Sequence, residues 1–257
     1  MATLPAMAFT IDFTGKVVLV TGGTKGVGRG IAQRFDDAGA TVAVCARQTV
    51  DELPEHWQFF SADLRDGQAA FHMIDAVVAA NGRLDVLVNN AGGSPPLDTA
   101  TIALRTTDRV VQLNLLAAIY CSQQANYHMQ SQPEGGSIVN ISSVCGSRPS
   151  PRAAAYGAAK AGLNNYSTTT ALEWAPKVRV NAITAGMVRT EQAHLFYGDE
   201  DGIAAVGRTV PIGRLAWPAE IGDVCVFLAS AMASYVSGAN IAVHGGGEAP
   251  AFLDAAT

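Results

Sequence analysis

The sequence predicts one α/β domain over residues 1–257, a doubly wound parallel sheet with helices on both faces. Apolar runs of strand length alternate with helical patterns along the whole chain. The runs are continuously apolar, as in Val17-Val-Leu-Val20, which fits strands covered on both sides. Connections are short, and no repeat, low-complexity tract or linker divides the chain.

The first strand, over 16–20, stops at Thr21-Gly-Gly, where a turn begins. A helix follows over 26–38, with Ile31, Ala32 and Phe35 on one face. Strands are expected over 41–45 and 59–62, the latter ending at Asp63. Phe71, Ile74, Val77 and Val78 recur at helical spacing in a helix over 67–81. A fourth strand over 84–88 runs into Asn89-Asn-Ala-Gly92, and one long helix covers 107–130. The fifth strand spans 137–141 and is followed by Ser143. Pro176 ends a helix over 154–174, since its ring breaks helical hydrogen bonding. A sixth strand over 178–183, a helix over 219–228 and a strand over 241–243 complete the pattern. The stretch 190–210, with Gly198, Gly202 and Gly207, is the one long irregular excursion and reads as a lid or substrate loop.

Composition removes several function classes. The chain is 49% hydrophobic and 15% charged, so it can bury a large core and is not a disordered segment. A formal net charge of −5 provides no basic field for nucleic acid or an anionic membrane. No apolar run reaches the roughly 18 residues of a membrane span. The opening MATLPAMAFTID lacks a basic stretch and reads as a poor signal peptide. Cys45, Cys121, Cys145 and Cys225 have no metal-ligand spacing and read as reduced, mostly buried thiols of a cytoplasmic protein. The mean hydropathy of +0.18 fits either apolar surface buried between subunits or a thick parallel sheet.

Thr21-Gly-Gly-Thr-Lys-Gly-Val-Gly28 lies between the first strand and the first helix. Gly22, Gly26 and Gly28 permit a tight turn and close approach of backbone to a pyrophosphate, with Thr24 and Val27 in the same loop. An ordinary glycine-rich turn has the same composition; its position before a helix N-terminus favours a dinucleotide. No acid ends the second strand to take a ribose 2′-hydroxyl. Arg47 stands there instead, and with Lys25 it favours a 2′-phosphate, hence NADP(H) over NAD(H); each is otherwise a surface cation.

Tyr156 and Lys160 are four residues apart, so both side chains leave one face of a helix. A lysine ammonium near a phenol stabilises phenolate and lowers its pKa, preparing the tyrosine for proton transfer near neutral pH. Ser143, at the end of a strand, is placed to hydrogen-bond a substrate carbonyl. Tyr-x-x-x-Lys alone is a common surface pair; with Ser143, the glycine loop and Asn89-Asn-Ala-Gly92 it is a constellation.

These residues, from about 14 to 247, resemble the short-chain dehydrogenase/reductase family. The resemblance implies a single Rossmann-type domain that transfers hydride between NAD(P) and a carbonyl/alcohol pair. It implies a catalytic set of Asn114, Ser143, Tyr156 and Lys160, with Asn114 holding a water in a proton relay. It implies adenine contacts at Asp63 and Leu64, cofactor contacts at Asn90 and Gly92, and nicotinamide contacts at Val188 and Thr190. Lys160 would also hold the nicotinamide ribose, and Asn181 would tie strands together. Two departures stand out. Ala185-Gly186 replaces the usual Pro-Gly, which would loosen the loop over the nicotinamide, and His244 replaces an aspartate and reads as a surface or interface residue.

The substrate pocket is expected between 93–97, 144–151 and the 190–210 lid, with Val144, Cys145, Leu195, Phe196 and Tyr197 making it partly apolar. That suits an acyl-thioester, a steroid-like ring or a small apolar ketone, and the chain resembles the 3-oxoacyl-thioester reductase type. Arg148 and Arg152 are candidates for an anionic handle or members of a solvated loop. The partner is therefore a small carbonyl or alcohol, with a homo-oligomer, tetramer or dimer, formed on the two long helices. An NAD-dependent alcohol or hydroxysteroid dehydrogenase, or a non-catalytic dinucleotide-binding sensor, remain the alternatives.

Overall fold

The computed structural model describes residues 11–48, 52–250 and 252; the amino-terminal segment read as a poor signal peptide falls mostly outside them. Seven parallel strands form one sheet in the order β3-β2-β1-β4-β5-β6-β7. They are β1 (Val17–Thr21), β2 (Thr41–Ala46), β3 (Gln58–Ser61), β4 (Val86–Asn89), β5 (Gly136–Ser143), β6 (Val178–Ala185) and β7 (Asn240–Val243). The helices are α1 (Gly26–Asp37), α2 (Gly67–Asn81), α3 (Leu104–Val111), α4 (Ala117–Ser131), α5 (Ala154–Glu173), α6 (His194–Tyr197), α7 (Glu200–Arg208) and α8 (Pro218–Ala229). Strand order reverses between β1 and β4, so a crevice opens at the carboxyl edge there.

Alternate residues of each strand feed opposite cores. Val18, Val20, Val42 and Val44 pack with Ile31, Phe35, Ile221 and Leu228 of α1 and α8. Val17, Leu19, Ala43 and Cys45 pack with Met73, Ile74 and Met129 of α2 and α4. The helices α1 and α8 cross closely because Gly30 and Gly222 lack side chains. A Cβ on Gly30 would lie 2.4 Å from Pro218 Cβ, and one on Gly222 would lie 3.0 Å from the Gly30 carbonyl oxygen.

Three sequence expectations need correction. The helix expected over 107–130 is three pieces, α3, a π-helical turn Gln112–Leu116 and α4, with buried Asn114 in the middle of the turn. The 190–210 excursion is not irregular but holds α6 and α7. Gly198 (φ 83°) separates them, and the Asp199 carboxylate caps α7 by accepting from Gly202 N at 3.0 Å. Gly202 and Gly207 serve close approach rather than disorder: a Cβ on Gly202 would lie 2.1 Å from the Tyr197 carbonyl oxygen. Ser143 is the last residue of β5 rather than a residue beyond it, because β5 pairs with β6 through Ser143↔Ala185.

A polar network invisible in the periodicity runs through the interior. Asn89 Nδ2 donates to Asn140 Oδ1 and to Ser122 Oγ, both at 2.8 Å, and Asn140 Nδ2 donates to Ser167 Oγ at 2.8 Å. It ties β4 and β5 to α4 and α5 beneath the carboxyl edge. Asn140→Val strips partners from two buried groups and is expected to cost about 1–3 kcal/mol. Urea denaturation measures it, and a loss below about 0.5 kcal/mol, the scale of an ordinary surface change, would contradict it.

Candidate active site

The turn after β1 is shaped for a phosphate. Gly22 and Gly26 have φ of 65° and 54°, which side-chain-bearing residues avoid. A Cβ on Gly28 would lie 2.3 Å from the Gly22 carbonyl oxygen, so the turn closes only with glycine there. Thr24 is buried, while Lys25 is exposed at the N-cap of α1 and gives no side-chain cap to the helix. The first N–H groups of α1 therefore face outward for an anion, with the positive helix end behind them. Asn90 braces the turn: its Nδ2 donates to the Thr21 carbonyl at 2.9 Å, while Asn90 N and Ala91 N donate to Thr21 Oγ1. A Cβ on Gly26 would lie 3.5 Å from Thr190 Cγ2, which brings Val27's turn and the 188–190 segment to the same place. This cradle fits a dinucleotide pyrophosphate.

The turn after β3 holds an ion pair that the residue spacing does not announce. Asp63, the adenine contact the resemblance implies, has its carboxylate gripped by Arg65 through Nε at 2.8 Å and through Nη2. That guanidinium, with Arg47 also acting from nearby, holds the Asp63 carboxyl down at about 2. Leu64 is buried beside it. The only sequence signal was an arginine two residues after a strand-ending acid. Lys25, Arg47 and Arg65 against Asp63 are net positive in sum.

At the other side of the crevice, Ser143 ends β5 and its Oγ accepts from Cys145 N at 3.2 Å. Tyr156 and Lys160 lie on the first turns of α5, as the spacing predicts. Burial pushes the Tyr156 phenol above its ordinary value, and the neighbouring Ser143 hydroxyl partly opposes that. The expected lowering by lysine is thus absent. Lys160 Nζ donates to the Ile141 carbonyl at 2.7 Å and sits 5.7 Å from the Tyr156 ring centroid, so it is tied to the sheet rather than to the phenol. The Lys160 side chain is almost wholly buried, and desolvation lowers it to about 8.

Asn114 Oδ1 accepts from Gly93 N at 2.7 Å, and its Nδ2 donates to the Gly93 and Val110 carbonyls at 3.0 and 2.9 Å. A Cβ on Gly92 would lie 2.7 Å from Asn114 Oδ1 and 3.4 Å from Lys160 Nζ, so Gly92 occupies the gap between the two. The π turn is what aims Asn114 there. The loop after β6 is firm despite lacking proline. Gly186 N donates to the Val243 carbonyl, Val188 bridges Ala216, and Ala216 N donates to the Met187 carbonyl at 3.0 Å. Asn181 does tie segments together, donating to the Val236 carbonyl and accepting from Ala239 N.

Two pocket expectations change. Leu195 and Phe196 are 66% and 52% exposed and do not wall a closed pocket. His244 is not at the surface: it is half-buried and lines a cavity of about 160 Å³ beside Val144, Met187 and Arg148. Arg152 does not line it; it has a φ of 67° in the turn before α5. Three of the four free cysteines are buried and Cys145 is half-buried. No helix among the described residues is long and apolar enough to cross a membrane.

The family model described as enoyl-(acyl carrier protein) reductase matches residues 22–248. The 2-dehydro-3-deoxy-D-gluconate 5-dehydrogenase of Escherichia coli (strain K12) is 34% identical over 247 residues, covering 93% of this chain and 97% of that protein. The 3beta-hydroxysteroid dehydrogenase 1 of Eggerthella lenta is 33% identical over 246 residues, covering 91% and 94%. The ligand-free structure of Thermoplasma acidophilum aldohexose dehydrogenase matches with a TM-score of 0.87 at 31% identity, over 93% of this chain and 96% of that one. With the glycine cradle and the Ser143, Tyr156 and Lys160 arrangement, these likenesses carry one conclusion: the chain belongs to the short-chain dehydrogenase/reductase family and is an NAD(P)-dependent oxidoreductase of the CH–OH/C=O couple.

Proposed function

We propose that the chain is an NADP(H)-dependent carbonyl reductase with Tyr156 as its proton donor. The observation that carries this reading is the placement of the half-buried Tyr156 one helical turn from the buried Lys160, with the Ser143 hydroxyl beside its phenol at the carboxyl edge of the sheet. A protonated phenol is the form that gives a proton to a carbonyl oxygen becoming an alkoxide. When bound, the nicotinamide supplies or accepts the hydride. Ser143 Oγ holds the substrate oxygen, and Tyr156 Oη delivers its proton to that oxygen. The Lys160 ammonium, held by the Ile141 carbonyl, offers its remaining donors to ribose hydroxyls, and Asn114, held by Gly93 and Val110, places the water of a proton relay. Gly22, Thr24, Gly26, Val27 and Gly28 form the phosphate turn, Asp63, Leu64, Asn90 and Gly92 flank the adenosine, and Val188 and Thr190 take the carboxamide end. The 190–210 segment, pinned by Arg189 to Glu200 at 2.7 Å, is the substrate lid.

NADP(H) is favoured over NAD(H) by the net positive charge of Lys25, Arg47 and Arg65, and by the lack of an acid at the end of β2. The same two features count against an NAD-linked oxidative enzyme. A non-catalytic binder has no use for a buried lysine beside a half-buried tyrosine at the crevice. Leu104, Tyr127 and Leu172, exposed on α3, α4 and α5, support assembly as a homo-oligomer through these helices. Unpaired thiols support a cytoplasmic setting.

Tyr156→Phe is expected to lower kcat for NADPH-dependent ketone reduction by about 10²–10⁴-fold, the usual worth of a positioned proton donor, while leaving NADPH affinity nearly intact. Stopped-flow turnover and cofactor titration separate the two, and unchanged kcat would remove the tyrosine from the chemistry. Arg47→Ala is expected to erase a preference for NADPH over NADH of about tenfold or more, given about 1.5–3 kcal/mol for a charge-assisted hydrogen bond. Equal affinities in the unmodified protein would contradict the cofactor assignment. Lys160 is charged below a pKa of about 8 and neutral above it. Reductive kcat/KM is therefore expected to fall as pH rises through that value, and Lys160→Arg, which stays charged, moves the alkaline limb upward. A profile whose alkaline limb is the same in Lys160→Arg assigns that limb elsewhere.

A further inference from the structure

The cavity beside Ser143 has a polar wall that a merely apolar substrate would leave unused. It begins at Val144, the residue after Ser143, and reaches Met187 on the loop after β6. Facing these are Ser147, Arg148, His244 and Glu248. Arg148 and Glu248 are 100 residues apart in sequence yet paired, Nη2 donating to Glu248 Oε1 at 2.5 Å. Arg148 Nη1 donates to Ser150 Oγ at 2.9 Å and to the Pro149 carbonyl at 3.1 Å. Among the described residues these are all its side-chain hydrogen bonds, so two of the five N–H groups of the guanidinium are unspent. Glu248 Oε2 accepts none among the described residues, and the Nδ1 of His244 is buried without a partner. Val144, which lines the cavity, directly follows Ser143 in the chain, so this wall adjoins the serine at the end of β5.

We propose that this wall selects a polyhydroxylated carbonyl substrate, whose hydroxyl groups donate to Glu248 and accept from Arg148 while the carbonyl rests on Ser143. This rests on the reductase reading above and names its substrate class. A hydroxyl both donates and accepts, which matches a wall presenting unspent donors and an unspent acceptor side by side. The Arg148–Glu248 pair is neutral in sum. A substrate carboxylate would meet the repulsion of Glu248 and would have to displace it from the guanidinium. An acyl chain or steroid ring would bury the donors and the acceptor without partners, and sites built to bond a hydroxyl reject analogues that lack it by far more than tenfold.

The test uses binding, so that it does not depend on turnover. Full-length Tyr156→Phe protein saturated with NADPH is titrated calorimetrically with 2-pentanone, with L-erythrulose and with levulinate, which share a small ketone and differ in hydroxyl or carboxylate groups. Erythrulose is expected to bind at least about tenfold tighter than either of the others. In the same background Arg148→Met and Glu248→Gln are each expected to collapse that preference toward unity, with melting temperatures reported alongside. Pentanone binding as tightly as erythrulose overturns the proposal in favour of an apolar site. Levulinate binding tightest, with the advantage lost in Arg148→Met, overturns it in favour of an anionic handle. A preference for erythrulose that survives both substitutions also overturns it, since the selecting groups then lie elsewhere. Failure of the reductase reading shows separately, as NADPH oxidation that is insensitive to Tyr156→Phe in the protein with Arg148 and Glu248 intact.

Discussion

All seven strands run the same way, and nearly every functional feature of this molecule follows from that constraint. Parallel strands send their carboxyl ends to one edge. Thr21, Asn89, Ser143, Ala185 and Val243 therefore end their strands on the same side, although they span most of the chain. The order reversal between β1 and β4 leaves the turns after these strands without a covering crossover, and the crevice opens there. The glycine turn, the Asn90 brace, Ser143 and the His244 wall are each the continuation of a strand into that crevice. The buried asparagines hold the edge in place, because Asn89 and Asn140 link the two central strands to both helices beneath them.

The electrostatics of the crevice come from burial more than from pairing. Tyr156 and Lys160 share a helix face, yet each is governed by loss of water, which favours the neutral form of both. For the tyrosine this means a retained proton. For the lysine it means a charge kept at neutral pH but lost above about 8. A proton donor and a cation can thus coexist at neutral pH without the tyrosine ionising first. At Asp63 the logic is reversed: the carboxylate is exposed enough to stay ionised, and arginine side chains hold it so.

What the sequence disclosed and what it concealed divide along a physical line. Continuous apolar runs disclosed β1, β2, β5 and β6, because a strand buried on both faces has no polar positions to disguise it. The Tyr156 and Lys160 pair was legible because four residues is one helical turn. The phosphate turn was legible because only glycine permits its backbone. Concealed were features that exist only once distant segments meet. The Asn89–Asn140–Ser167 network, the Arg148–Glu248 pair and the π turn around Asn114 have no local spacing that announces them. The helices α6 and α7 were hidden by their own glycines, which read as breaks but serve as points of close contact. The expectation that lysine lowers the tyrosine was misplaced because sequence gives proximity on a helix, not the Ile141 carbonyl that takes the ammonium.

The central claim is that Tyr156 keeps its proton in the folded protein and so acts as the acid of a reduction. The most direct measurement is the near-ultraviolet absorbance of tyrosinate as a function of pH, taken as the difference between the unmodified protein and Tyr156→Phe. The account predicts no Tyr156 phenolate until the pH passes the ordinary tyrosine value of about 10. A Tyr156 phenolate already present near neutral pH would contradict it and would make the residue a base in the resting enzyme.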